Sequence, residues 1–151
     1  MKRQSLGVFL ILNLIMIIAA DSVNAQAPNF SLGIPFEFSV SDKVLPAGQY
    51  NIRRSPTGVE NVLVIKSADG RASQQSRVQI IYSKENATES KKLIFTKYGD
   101  QRFLSEIWAS SVFGRITRYV FSKGKHEMEL GKKAKQDKNA EQPESVSLVI
   151  K

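Results

Sequence analysis

Apolar and polar residues alternate along most of the chain after Pro28. Phe36, Phe38 and Val40 interleave with Glu37, Ser39 and Ser41, the period-two signature of a half-buried strand. Leu45-Pro46-Ala47-Gly48 follows as a turn, because proline presets φ and glycine accepts positive φ. Tyr50 and Ile52 resume the alternation up to Arg53-Arg54, and Ser55-Pro56-Thr57-Gly58 breaks it again. Val62 to Ile65 is continuous and largely β-branched; Asp69-Gly70 is a hairpin dipeptide. Val78, Ile80 and Tyr82 alternate, and Lys84 to Ser90 is a polar loop. Leu93-Ile94-Phe95 with Tyr98 forms the next strand, and Gly99-Asp100 is its corner. Arg102 to Ala109 then places Phe103 and Ile107 on one face, Leu104 and Trp108 on the other. Gly114 introduces a strand over Arg115–Phe121.

Turn signals at roughly ten-residue spacing predict an all-β fold. The expected architecture is an antiparallel meander of about seven to eight strands, each pairing with the next, in a small barrel or a sandwich. Several strands are apolar on both faces, so something covers the outside. The C-terminal segment is the expected cover, and a homodimer is the alternative.

The last thirty residues change character. Lys123 to Asn139 reads as one short helix with a thin stripe of Met128, Leu130 and Ala134. The alternation of His126, Met128 and Leu130 keeps a strand reading open. Residues 131–145 are a charged linker or helix end. Val146, Leu148 and Ile150 are expected to dock as a final strand over 146–151, against a β domain spanning 26–130.

The N-terminus follows another pattern. Lys2 and Arg3 precede a nearly unbroken apolar run from Leu6 to Ala20, and Val23-Asn24-Ala25 ends it with small or β-branched residues. That is the order of a secretory signal peptide over residues 1–25, cleaved after Ala25. An uncleaved anchor is the alternative, although a span wants about 20 apolar residues. The expected location is periplasmic or extracellular, with no membrane span once the signal is removed.

Composition narrows the chemistry. The 151 residues include no cysteine, which excludes disulfides, a cysteine zinc site and a thiol nucleophile. Removing Lys2, Arg3 and Asp21 from the 22 basic and 14 acidic residues leaves 20 and 13, a net charge of +7. Arg53, Arg54, Arg115 and Arg118 are the candidate anion-binding surface, if the fold brings them to one rim. Nucleic acid is not expected as a partner. Phe103, Trp108 and Tyr119 read as core rather than as a stacking platform, and export argues against it. His126 is the only histidine and lies between charged residues, which does not make a metal site. Among the acids Glu37, Asp42, Glu60, Asp69, Glu85, Glu89, Asp100 and Glu106, nothing marks a raised-pKa acid beside an ionised partner. Phosphate-binding glycine loops, GxSxG and HExxH are absent. Asn86-Ala87-Thr88 is a glycosylation sequon that matters only in a host that uses it.

Three segments carry a resemblance when taken together. They are Ile34-Pro35-Phe36-Glu37-Phe38-Ser39-Val40 running into Leu45-Pro46-Ala47-Gly48-Gln49-Tyr50, Leu93-Ile94-Phe95 with Tyr98-Gly99-Asp100, and Arg102 to Trp108. The set resembles a family of small exported bacterial proteins of uncharacterised function. The resemblance implies a bacterial source, export and a β-rich single domain, and brings no activity. The motif residues are turns and core, which mark a fold more than an active site. The expectation is therefore a non-enzymatic binding or structural protein of the cell envelope, with no cofactor. Its expected partner is an anionic envelope component or a small amphipathic ligand. The alternatives are a β-barrel carrier of a small apolar ligand and an enzyme acting on an envelope polymer.

Overall fold

The computed structural model describes residues 29–59, 61–86, 91–110 and 115–150, with backbone alone for 84–86 and 115. The signal segment, the start at Gly114, most of the sequon, and Glu60 and Glu89 lie outside the described residues. Among the described residues, ten strands and one helix follow in the order β1 (Phe30–Ile34), β2 (Phe38–Val40), β3 (Lys43–Leu45), β4 (Gly48–Arg54), β5 (Val62–Ser67), β6 (Ser73–Asn86), β7 (Lys92–Tyr98), β8 (Gln101–Ser110), β9 (Arg115–Phe121), α1 (Lys125–Gln136) and β10 (Glu144–Val149). The predicted turns sit where expected, with Gly70 and Gly99 at positive φ in the corners before β6 and β8. Strands β1 and β3 are not among the expected strands, although Phe30, Leu32 and Ile34 of β1 alternate with polar or small residues.

All ten strands belong to one sheet, in the order β1-β4-β5-β6-β9-β8-β2-β3, with β7 and β10 continuing from β8. The sheet is mixed and does not close into a barrel. Nor is it a simple meander. β1 pairs with β4 and β6 pairs with β9, while β2 meets β8 in parallel at Ser39 and Phe103. The β2–β3 hairpin causes the first departure. It leaves the β1–β4 edge and crosses to β8, where Phe38 still reaches Tyr50 of β4. The fourteen-residue β6 joins the two halves of the sheet, pairing with β5 through Ser73–Arg77 and with β9 from Val78 onward.

Side chains fill the interior between the halves. Phe38 meets Tyr50 edge-on at 5.2 Å and Phe95 at 5.8 Å, so β2, β4 and β7 share one aromatic contact. Leu32, Ile34, Val40, Ile52, Leu63 and Ile65 complete this core from the first half and the hairpin.

On β8 the predicted faces are wrong. Ile94 pairs with Glu106 while the next residue, Phe95, pairs with Leu104, so Ser105 is an extra residue in β8. A bulge of this kind shifts the alternation by one. Leu104 and Ile107 therefore share the core, Phe103 points outward with Tyr98, and Trp108 lies outside, half-buried. The Ser105 hydroxyl accepts from Thr96 N–H at 3.1 Å, which satisfies a donor beside the bulge.

The helix covers that outward pair. Leu130 and Ala134 of α1 pack on Tyr98 and Phe103, so the C-terminal segment is a cover for part of the outer face. The buried stripe is Glu127, Leu130, Gly131 and Ala134 at helical spacing, not the predicted stripe containing Met128, which is 47% exposed. The helix runs across position 130, where the β domain was expected to end. Beyond it, β10 lies antiparallel along β7, and Val146 and Leu148 pack on the core. No described helix is long and apolar enough to cross a membrane.

Candidate functional site

Of the candidate arginines whose side chains are described, Arg53 and Arg118 lie on outer faces and Arg54 is turned inward. On β4, Tyr50 and Ile52 face the core, so period two turns Arg54 inward and Arg53 outward. Arg53 is exposed. Arg118 projects from the outer face of β9, where its Nη2 donates to both oxygens of Glu106 at 2.8 Å and its Nε to one of them at 3.1 Å. That bidentate pair neutralises Arg118 and holds Glu106 in a half-buried network. Arg115 is described by its backbone alone.

Arg54 differs from these. It lies at one end of the filled core, beside Tyr119 of β9. Its Nε is shut off from water and donates no hydrogen bond. No carboxylate pairs with it among the described residues. An enclosed donor on a cation loses its hydration without compensation, which costs on the order of 1–3 kcal/mol. Tyr119 is 3% exposed. Burial raises the pKa of its hydroxyl, while the Arg54 guanidinium pulls the other way and the nearby Tyr82 adds to the rise. The neutral phenol is favoured at neutral pH, and Arg54 meets it by a hydrogen bond rather than by an ion pair. Tyr82, on the same face of β6, is 70% exposed and forms the open side of this corner. A guanidinium with an unmet N–H, next to two phenols, is chemically suited to an oxyanion.

Elsewhere the described residues line two surface grooves. One, of about 410 Å³, runs between the β3–β4 and β5–β6 turns. Its Asp69 accepts from Ser67 Oγ and from Arg71 N–H, and these contacts, with the Arg71 charge, hold its carboxyl below the usual range. Those are turn-stabilising bonds. The other groove, of about 380 Å³, is lined by Glu37, Asp100, Arg102 and His126, among others. His126 Nε2 lies 2.7 Å from Gln101 Oε1, and Arg102 stacks its guanidinium 4.7 Å from the centre of the Phe36 ring. Both carboxylates here are exposed to water, so no low-dielectric pocket sets one against the other as an acid–base pair would need. No cluster of three or more potential metal ligands occurs among the described residues.

Comparison with known proteins finds no matching family model, no similar curated protein and no similar solved structure. The chemistry of the chain therefore rests on its own geometry. Arg54 was legible in the sequence as one of a basic pair. Its inward direction was also legible, from the alternation with Tyr50 and Ile52. Its neighbours Tyr119 and Tyr82 were not, because they arrive through the pairing of β6 with β9.

Proposed function

We propose that this chain is an exported protein of the cell envelope, periplasmic or extracellular, that binds an anionic or amphipathic ligand without catalysing a reaction. Export is supported by the charged start, apolar run and small-residue site of residues 1–25. Binding is supported by Arg54, whose half-buried guanidinium has no carboxylate partner among the described residues and stands beside Tyr119; that is the observation that carries the reading. The anionic group of the ligand pairs with this guanidinium beside Tyr119, and its less polar part lies along the exposed ring of Tyr82. A filled core and an unclosed sheet argue for binding at this corner rather than in a hollow interior. The open setting of Glu37 and Asp100 gives no support to an enzyme.

Thermal unfolding of the chain from Gln26 onward, with rising inorganic phosphate or dodecyl phosphate at constant ionic strength, tests this. A ligand of the native state raises the Tm, by about 2.7 kcal/mol of stabilisation at a hundred times its Kd. Arg54→Gln is expected to abolish that response while leaving the unliganded Tm unchanged or higher, because it removes an enclosed donor that has no partner. Arg53→Gln should respond like the parent. A response that survives in Arg54→Gln overturns the reading.

A further inference from the structure

The outer face of β6, β9, β8, β7 and β10 carries one continuous cross-strand row. Successive registers pair Ile81 with Arg118, Arg118 with Trp108, Trp108 with Lys92, and Lys92 with Val149. The only tryptophan of the chain stands at the centre. Lys92 Nζ lies 3.9 Å from the centre of its ring and the Arg118 guanidinium carbon 4.9 Å. The two cations come from the strands on either side, so both ring faces are occupied and do not offer a platform for a sugar. The ends of the row are aliphatic and open: Ile81 is 37% exposed and Val149 is 54% exposed.

Helix α1 lies on the same side of the sheet, over Tyr98 and Phe103. Its buried stripe is turned to the sheet, and Lys132, Lys133 and Lys135 are all exposed. Met128 adds an exposed apolar side chain on that helix. One side of the molecule thus combines tryptophan, aliphatic side chains and a run of lysines. That combination suits the boundary between water and an anionic bilayer. Indole rings settle at headgroup level, long cationic side chains reach the headgroups, and short aliphatics enter the edge of the hydrocarbon.

We infer that this face, the Trp108 row together with the α1 lysines, docks on an anionic lipid bilayer. The proposal is independent of the ligand corner at Arg54, which belongs to the opposite face of β4 and β9. The charge on the helix supplies attraction over several ångströms, and the row supplies short-range contact.

The test uses vesicles of phosphatidylglycerol with phosphatidylcholine, against vesicles of phosphatidylcholine alone, and the chain from Gln26 onward. Sedimentation with the anionic vesicles is expected, weakening as salt rises. The emission of Trp108, the single indole, should shift to the blue and be quenched by lipids brominated on their chains. Lys132→Gln, Lys133→Gln and Lys135→Gln together should weaken binding on the order of a hundredfold, from somewhat under tenfold for each basic side chain near such a surface. These positions are exposed, so the triple variant should keep the parent's Tm. Absence of binding to anionic vesicles overturns the proposal. So does binding with unchanged Trp108 emission. If Arg54→Gln abolishes vesicle binding and the lysine triple does not, the bilayer is only a source of headgroups for the Arg54 corner, and docking by this face is likewise overturned.

Discussion

Glu127 shows how a single residue can act against the element that carries it. It is only 4% exposed, and one of its oxygens accepts no hydrogen bond. Its ionic neighbour Lys123 stands one turn back at 3.5 Å and is itself half in solvent. Burial therefore raises the carboxyl pKa, and Lys123 offsets this only in part. Between the ordinary glutamate value and the raised one, the native state holds more proton than the unfolded chain. Stability accordingly falls as pH rises through that window. Glu127→Gln should remove this slope and raise stability at pH 7 by on the order of 1 kcal/mol. In a domain of this size that is a Tm rise of about 3–5 °C. Melting curves recorded from pH 4 to 8 check both the magnitude and the loss of slope. At this scale the sequence is a poor guide. Glu127 is not singled out there from the charged residues around His126, and only the packing of the helix on the sheet turns it inward.

The helix and strand β8 show the same dependence among elements. No side chain within α1 or just before it caps the helix start. The cap comes from Asp42 in the β2–β3 turn, whose Oδ1 accepts from the Lys125 N–H at 2.6 Å across 83 residues. Gly124 permits this approach, since a Cβ there would collide with the Ser41 carbonyl. Asp42→Ala should cost about 1 kcal/mol. The loss should appear in hydrogen exchange as faster exchange in the first turn of α1, with β5 unchanged. In β8 the hydroxyl of Ser105 serves the bulge. Ser105→Ala should keep the fold and cost about 1 kcal/mol in urea unfolding. Deleting Ser105 should also keep the fold, because Leu104 then follows Glu106 in regular alternation and still faces Phe95, with Phe103 outward. Strand positions were legible because alternation and turns are local signals. The bulge was not, since an extra residue is defined only by the strand opposite.

At the scale of the whole molecule, one sheet folds over a solid core and is joined at its far edge by the end of the chain. β10 adds Val146 and Leu148 to that core beside Phe95 and Leu93. Leu148→Asp should therefore destabilise the entire domain, by about 3 kcal/mol or more, rather than free the last strand alone. Urea unfolding should show one transition at a lower midpoint with unchanged slope. A separate early transition for the C-terminal segment would contradict this coupling.

Local chemistry sets the all-β character, the turns and the inward direction of Arg54. Each depends on residues within a few positions of one another, through the backbone limits of proline and glycine and the two-residue period of a strand. Strand order, the crossing of the β2–β3 hairpin, the phase of β8 and the row through Trp108 depend on contacts between distant segments. So does the orphaned state of the Arg54 Nε, because a donor is unpaired only with respect to everything the fold packs around it. A sequence pattern names the face of a strand, and three-dimensional packing chooses what that face meets.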